Sequence, residues 1–353
     1  MDLKIRGFSA VSHARRTAPR MGNVTIEELR KVPYLDTRQL GARTVNLMPL
    51  WDGTHWRMWF PTSSGLVEGK IVDRTEGDYV SRTAAKPSDL FIPFVHLMWQ
   101  RASWGEICPL IIAICDDFHN MGTSVAKLRH FFGCRCALPP GSAGRFARTE
   151  LEYLVTLTRT VFDLLQEMIS IIWQKKVKLL DESAENYRRG HSLPETFSKI
   201  VLQDKQRLKS ADEIERQYRL PRRLAEQYAN LTPFFLQLRD LRNRVVHGQG
   251  GFGMIFDTER GFCIDPKSPP FSSFTGWRPE HRYNENLSSA LPWIADTILK
   301  TIDACNSLMK TFASIIQLPP EIAPGYYVFV RGPYNEALAE VLGVHSGASP
   351  WWG

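Results

Sequence analysis

The clearest pattern in the chain is a long run of apolar residues at helical spacing over residues 149–180. This segment contains neither glycine nor proline, and its apolar positions advance by alternating steps of three and four. The first stripe is Leu154, Leu157, Val161, Leu164, Met168 and Ile171, and a second stripe beside it is Val155, Phe162, Ile169 and Trp173. The pattern predicts one long helix with an apolar surface wide enough for two partners, which are either two sibling helices or one sibling and a second copy of the chain.

Further helical patterns follow this segment. A short helix is predicted over 194–202 and a longer one over 220–246, which Pro233 either leaves intact or breaks in two. Residues 289–316 form another long amphipathic pattern. Together these segments predict an up-and-down helical bundle over residues 143–317, with an insertion before its last helix. The insertion is predicted to contain a hairpin over 251–264.

The N-terminal half begins with an alternating pattern that is typical of strands. Strands are predicted over 45–51, 55–60 and 66–72, and the first two flank a plausible hairpin loop, Asp52-Gly53-Thr54. From Ser88 the pattern becomes helical, and Ser88 and Asp89 are predicted to cap the first of these helices. Two more helices are predicted over 107–119 and 124–132.

The predicted fold class is mainly α, an up-and-down helical bundle preceded by an α+β region. A basic flexible tail over 1–25 leads into an α+β region of unknown role over 26–138. The proline-rich linker after it ends at Ser142, and the bundle follows over 143–317. The C-terminal extension, 318–353, is predicted to hold a strand at 326–330 and a short helix.

Composition adds a mild preference for anionic partners. The 353 residues carry a formal net charge of +7, which favours nucleic acid first. The six cysteines form no regular framework, so we expect reduced thiols in a cytoplasmic protein. No apolar run is long enough to span a bilayer and no signal-peptide pattern occurs near the start, so no membrane partner is expected.

Metal and cofactor motifs are sparse. His130, Cys134 and Cys136 could begin a zinc site, but no fourth ligand has suitable spacing. The glycine-rich run over 248–253 is not a P-loop, because no Lys-Ser/Thr pair follows it. We therefore expect neither a metal nor a cofactor.

The most informative segment is 238–248, with the sequence Leu-Arg-Asp-Leu-Arg-Asn-Arg-Val-Val-His-Gly. On a helix of about 100° per residue, one apolar stripe is formed by Phe234, Leu238, Leu241 and Val245. Arg242 lies about 40° from Leu238, on the flank of this stripe, while Arg239 and Arg244 point further out. Since an unpaired buried charge is costly, we expect Arg242 to need a partner or a ligand.

His247 stands where this helix is predicted to end, because Gly248 suits the position that follows a helix. A histidine at a helix end is free to turn toward a neighbouring site. Together with Arg242 it forms a candidate site for an anion or a phosphodiester. The alternative is that Arg242 and His247 merely cap a packed helix.

The pattern Arg242-Asn243-x-x-x-His247-Gly248, on the penultimate long helix of a predicted bundle, resembles the HEPN (higher eukaryotes and prokaryotes nucleotide-binding) family. That family is marked by an Arg-x(4–6)-His motif, often with a polar residue directly after the arginine. The resemblance covers residues 143–317 and implies an up-and-down bundle that dimerises, so that two Arg/His pairs face one another. Many members are metal-independent endoribonucleases in toxin–antitoxin, phage-defence or CRISPR effector systems.

The resemblance implies a mechanism in which the 2′-hydroxyl of the RNA attacks the adjacent phosphodiester. His247 would act as general base or acid, Arg242 would stabilise charge on the phosphoryl oxygens, and Asn243 would orient the phosphate or the histidine. The residues predicted to contact the substrate are Arg239, Arg244 and Gly248. The run that begins at Gly248 either offers backbone N–H groups to a phosphate or is a plain flexible loop.

The expected partners are RNA, a second copy of the chain and, in a toxin-like system, an antitoxin or another protein. One alternative is a non-catalytic HEPN protein that binds nucleotide or RNA, or serves as a dimeric scaffold within a larger complex. Another is a structural subunit whose bundle is only an interaction surface. An open, cationic environment around Arg242 and His247 favours catalysis or RNA binding, whereas a scaffold would bury the pair.

Overall fold

The computed structural model describes residues 24–175, 177–188, 191–204, 207–247 and 251–352. The chain forms two compact units. The first comprises the chain up to Cys115 together with Gln317–Pro333, and the second comprises Asp116–Ile316 and the chain from Tyr334 onward. Most of the predicted tail over 1–25 and the predicted site residue Gly248 lie outside the described residues. The consecutive domains 26–138, 143–317 and 318–353 stay a prediction.

A five-stranded mixed sheet forms the centre of the first unit. Its strands are β1 (Leu50–Trp51), β2 (Trp56–Thr62), β3 (Gly65–Ile71), β4 (Gly77–Ser81) and β10 (Tyr327–Arg331). They lie in the order β10-β4-β1-β2-β3, with β1 parallel to β4 and the other neighbours antiparallel. The pairing of Trp51 with Trp56 confirms the predicted hairpin, and β3 confirms the third predicted strand.

Aromatic side chains fill the core beside this sheet. Trp56, Tyr79 and Phe329 form one buried cluster. The ring of Tyr79 lies edge-on to Trp56 at 4.9 Å and stacked with Phe329 at 5.5 Å between centroids. Three strands that are far apart in sequence are therefore held together by burial of large rings.

The helices of the N-terminal half depart from the prediction in two places. The chain forms α1 (Ile26–Leu29), α2 (Pro93–Arg101) and α3 (Cys108–Gly133). The predicted cap at Ser88 and Asp89 is wrong, since Asp89 accepts hydrogen bonds from Arg331 and Tyr79 instead. Proline occupies the first position of α2, where it needs no intrahelical partner. The two helices predicted over 107–132 are one helix.

The second unit contains the remaining elements. Its helices after α3 are α4 (Ser142–Lys175), α5 (Glu182–Arg188), α6 (Phe197–Val201), α7 (Ala211–Tyr218), α8 (Arg222–Val246), α9 (Leu291–Ala313) and α10 (Asn335–His345). Its short strands are β5 (Leu202–Gln203), β6 (Arg207–Leu208), β7 (Phe256–Asp257), β8 (Phe262–Ile264) and β9 (Ser288–Ser289). The long helices α4, α8 and α9 pack against one another. The antiparallel pair β7–β8 confirms the hairpin predicted over 251–264.

The predicted fold class is wrong, because the protein is a mixed α/β protein and not mainly an α bundle. About 51% of the described residues are helical and 13% are in strands or bridges. The five-stranded sheet needs β4 and β10, which are separated in the sequence by most of the second unit. A pattern within one segment cannot indicate pairing over such a separation, so the sheet was underestimated. Within the described ranges, no helix combines the length and apolar character needed to cross a membrane.

Candidate functional site

The predicted site lies on α8, and the packing of α8 decides which of its residues face solvent. Its buried residues are Leu224, Ala225, Tyr228, Thr232, Phe235, Leu238 and Leu241. Tyr228 Oη donates a hydrogen bond of 2.7 Å to Gln166 Oε1 of α4, and Phe235 packs against Phe162 with ring centroids 5.6 Å apart. Burial raises the pKa of the Tyr228 hydroxyl, which therefore stays protonated and donates.

Pro233 does not break α8. It lies on the exposed side of the helix, so the Ala229 carbonyl, which loses its N–H partner, is on the same side and can be solvated. The helix is therefore one rod from Arg222 to Val246, and the predicted alternative of two helices is wrong.

The motif residues occupy the open end of this rod. Arg242, Arg244 and His247 are exposed, and Asn243 is half-buried. Among the residues that the structure describes, the side chains of Arg242 and His247 have no hydrogen bond or ion pair. The core on this side of α8 is supplied by Leu238 and Leu241, so the charge of Arg242 is hydrated and needs no buried partner.

His247 ends α8. Its backbone N–H donates to the Asn243 carbonyl at 2.9 Å, and its φ and ψ of −93° and 9° are those of a residue leaving the helix. Asn243 and His247 are four residues apart and share one face, whereas Arg242 and His247 are about 140° apart around the axis. The structure thus places Asn243 beside His247, with Arg239 one turn earlier, and Arg242 on the adjoining face.

Exposed apolar side chains occur at this helix end and in the segment that follows it in the sequence. Val246 is 54% exposed and Met254 is 72% exposed, and Phe256 also reaches the surface. The segment that carries the last two passes close to the start of α4, where a Cβ on Gly144 would lie 2.2 Å from the Ile255 carbonyl oxygen. We call Val246, Met254, Phe256 and the exposed Phe146 of α4 the apolar rim.

Arg159 and Asp163 of α4 form a local pair. Arg159 Nη1 lies 2.7 Å from Asp163 Oδ2, and the guanidinium lies 4.4 Å from the centroid of Phe235. Asp163 therefore neutralises its own helix neighbour and does not reach across to Arg242.

A cleft that the sequence did not indicate lies next to α8. It has a volume of about 1100 Å³ and is walled by α6, β5, α7 and Lys209, which precedes α7, with Arg239 of α8 on its rim. We call it the α7 cleft. Its basic residues are Lys199, Lys209, Arg216 and Arg239. The one sequence signal in this region is the capping box of Ser210 and Glu213, which marks the start of α7 but not a cleft.

The first unit has a cavity of its own, of about 400 Å³, between the β1–β2 turn and the end of β10. Its most buried cation is Arg331, which makes a bidentate ion pair with Asp89 at 2.6 and 2.8 Å. Because Asp89 already neutralises that charge, this cavity is a less favourable site for an anion than the α7 cleft.

No three His, Cys, Asp or Glu side chains in the described part of the chain lie close enough together to hold a metal ion. The chain matches no protein-family model, no curated protein and no solved structure.

Proposed function

We propose that this protein is a metal-independent endoribonuclease of the HEPN type, acting in the cytoplasm. The observation that carries the proposal is that Arg242 and His247 are both exposed at the end of α8, without an ion pair among the described residues. A scaffold that used this motif only for packing would bury the two side chains. An exposed arginine and an exposed histidine near one helix end suit an anionic ligand from solvent.

The chemistry that fits these residues is transesterification within the RNA. The 2′-oxygen attacks the neighbouring phosphorus while His247 takes the hydroxyl proton or gives a proton to the leaving 5′-oxygen. The P–O5′ bond breaks, and the products are a 2′,3′-cyclic phosphate and a 5′-hydroxyl. Arg242 stabilises the charge on the phosphoryl oxygens, and Asn243, on the face of His247, orients the histidine or the phosphate. DNA lacks the 2′-hydroxyl and is spared.

Helix geometry favours a homodimer for this reaction. Arg242 and His247 of one chain point about 140° apart and are separated by about 7.5 Å along the axis. One chain therefore presents the two groups in different directions, and a two-fold partner would bring the arginine of one chain toward the histidine of the other. The apolar rim supports such a contact, because it places exposed apolar surface beside the motif.

The same apolar rim favours a second candidate function. A protein partner, such as an antitoxin or a subunit of a larger complex, would cover the rim and the motif together. In that case the chain is a non-catalytic RNA-binding or nucleotide-binding protein, or a dimeric scaffold. The α7 cleft, with its basic residues, is compatible with the binding function but not needed by a scaffold.

The decisive experiment is RNA cleavage in excess EDTA by the wild type and two histidine variants. His247→Ala removes the proposed acid or base, and His345→Ala is its matched control because His345 is also an exposed histidine at the end of a helix, α10. We expect the wild type and His345→Ala to release 2′,3′-cyclic phosphate ends, and His247→Ala to release none. Equal cleavage by all three folded proteins would refute the catalytic proposal, and no cleavage with intact RNA binding would favour the second candidate.

A further inference from the structure

Lys209 is an unusual residue in the wall of the α7 cleft, because its side chain is a nearly buried cation with neutral partners. It is 8% exposed. Its ammonium donates to the Lys199 carbonyl at 3.0 Å and to Tyr218 Oη at 2.8 Å. No carboxylate among the described residues forms an ion pair with it. A buried cation is stable only when it is paired or hydrogen-bonded throughout.

The ammonium of Lys209 has capacity for one more partner. It carries three N–H donors, and two of them are used. Tyr218 Oη also donates to the Lys199 carbonyl, at 2.6 Å. The two neutral oxygens are therefore bonded to each other as well as to the ammonium, which fixes the position of the ammonium. The remaining donor has no acceptor among the described residues, and the side chain lines the cleft.

The acidic residues of the cleft, Glu213 and Asp204, act on this cation only through their charge at a distance and form no ion pair with it among the described residues. Glu213 accepts hydrogen bonds from Ser210 N and from Arg207, and these bonds lower its pKa to about 2. The carboxylate of Glu213 therefore pairs with Arg207, a residue that does not line the cleft. Two exposed cations, Lys199 and Arg216, lie at the mouth of the cleft. Asp204 is the second carboxylate in the lining, after Glu213.

We propose that the α7 cleft is a phosphate-binding site, with Lys209 as the buried contact and Lys199 and Arg216 as contacts at the mouth. A phosphate oxygen would accept the free N–H of Lys209, and its negative charge would supply the missing counterion. This site is separate from the Arg242–His247 end of α8.

The bound phosphate has two possible sources, an RNA strand and a free nucleotide. Arg239 lies on the rim of the cleft and about one helical turn before Arg242 and Asn243. An RNA strand cleaved at the end of α8 could thus place a flanking phosphate in the cleft, a version that rests on the proposed function. A free nucleotide could occupy the cleft without any cleavage.

Binding measured with uncleavable ligands tests the site independently of catalysis. The probes are 2′-O-methyl hexauridylate, uridine 5′-monophosphate and uridine, titrated by calorimetry into the full chain. The variants are Lys209→Met, which keeps the length and packing of the side chain, and Arg216→Gln, whose guanidinium donates to the Asp212 carbonyl of its own helix. The control is Lys310→Gln, an exposed lysine in the last turn of α9 that lines no described cavity.

We expect uridine to bind at least tenfold more weakly than a ligand that carries phosphate. Lys209→Met and Arg216→Gln should each weaken phosphate-ligand binding about tenfold and reduce the salt slope of hexauridylate binding by about 0.7. Loss with hexauridylate assigns the phosphate to RNA, and loss with the mononucleotide alone assigns it to a free nucleotide. Binding by both variants within twofold of Lys310→Gln, or equal binding of uridine and its monophosphate, would overturn the proposal. Cleavage that depends on His247 but not on Lys209 would leave the proposed function standing without this site.

Discussion

Two arginines of this chain, Arg242 and Arg331, differ sharply in how far they are exposed to solvent. Arg242, which the sequence singled out, is exposed and hydrated. Arg331, which the sequence did not single out, is 3% exposed and bonded to Asp89. Its guanidinium also lies 4.8 Å from the centroid of Trp56. The helical periodicity predicted only that Arg242 lies on the flank of the apolar stripe. No local pattern could indicate that Arg331 pairs with a carboxylate 242 residues away in the sequence.

The exposure of Arg242 predicts that its role can be separated from stability. Arg242→Lys should lower the cleavage rate at least tenfold, because an ammonium cannot reproduce the planar contact of a guanidinium. Both Arg242→Lys and Arg242→Ala should change the free energy of unfolding by less than about 0.5 kcal/mol, since the side chain is solvated. Urea titrations beside cleavage assays measure the two quantities, with Arg223→Lys at the exposed start of α8 as control. A large loss of stability would instead indicate a structural arginine.

Asp117 of α3 predicts a pH dependence of stability. Burial and then the nearby charge of Asp116 raise its pKa from 3.8 to about 6, and its Oδ2 has no hydrogen-bond partner among the described residues. The folded state therefore holds this proton more tightly than the unfolded chain. The stability so gained is complete below about pH 4 and is lost as the pH rises through about 6.

Asp117→Asn should remove this loss. Between about pH 4 and about pH 7.5, the unfolding free energy of the variant should rise relative to wild type by about 1–2 kcal/mol, less than the full shift implies because solvent screens this half-buried carboxyl. Urea unfolding at the two pH values measures the difference, and Asp240→Asn, at an exposed position on α8, should leave it near zero. A difference that does not change with pH would mean that Asp117 is ionised in the folded protein throughout this range.

At the scale of single elements, the sequence predicted those that have their own periodicity. The helices α4, α8 and α9 and the hairpins β1–β2 and β7–β8 all follow local patterns of apolar residues and turn residues. The element β4 was missed because its five residues, Gly-Asp-Tyr-Val-Ser, do not alternate and are buried on both faces by distant partners. The helix α7 was missed although its capping box was visible at Ser210 and Glu213.

Pro233 is the weakest point of α8 and predicts a stabilising substitution. Pro233→Ala would restore the hydrogen bond to the Ala229 carbonyl within an otherwise continuous helix. We expect the free energy of unfolding to rise by about 1–3 kcal/mol. Pro221→Ala, at the N-cap of α8 where no such bond is lost, should have a smaller effect. Denaturant midpoints compare the two variants, and a lower midpoint for Pro233→Ala would show that proline is needed for the packing of α8.

At the scale of the whole molecule, the sequence indicated the individual elements better than their assembly. The sequence predicted that Arg242 and His247 lie on one helix, because all residues of the motif lie in one short segment, but it placed Arg242 beside the apolar stripe and not in solvent. The α7 cleft could not, because Lys199, Lys209 and Arg239 come from three elements whose packing no local pattern specifies. The same reason accounts for the incorrect fold class, since the central sheet joins segments from both ends of the described chain.

The apolar rim makes a prediction about assembly. Light scattering at micromolar concentration should give about twice the monomer mass of 40.4 kDa. The double variant Val246→Glu/Met254→Glu should give the monomer mass, because charges at these exposed positions cannot be buried in an interface. Leu180→Glu, at a position 57% exposed and outside the rim, should remain dimeric. A wild-type monomer that cleaves RNA would exclude the two-chain arrangement.

The place of β10 in the sheet has a consequence for synthesis on the ribosome. β4 is complete at Ser81, but its edge partner β10 ends only at Arg331. At translation rates of roughly 5–20 residues per second, that delay is on the order of ten to fifty seconds. During this delay, the edge of β4 that carries Tyr79 and Val80 has no partner strand. Such an unpaired edge is a template for pairing with other chains. A nascent chain truncated just before Tyr327 should therefore depend on a chaperone far more than the full-length protein does.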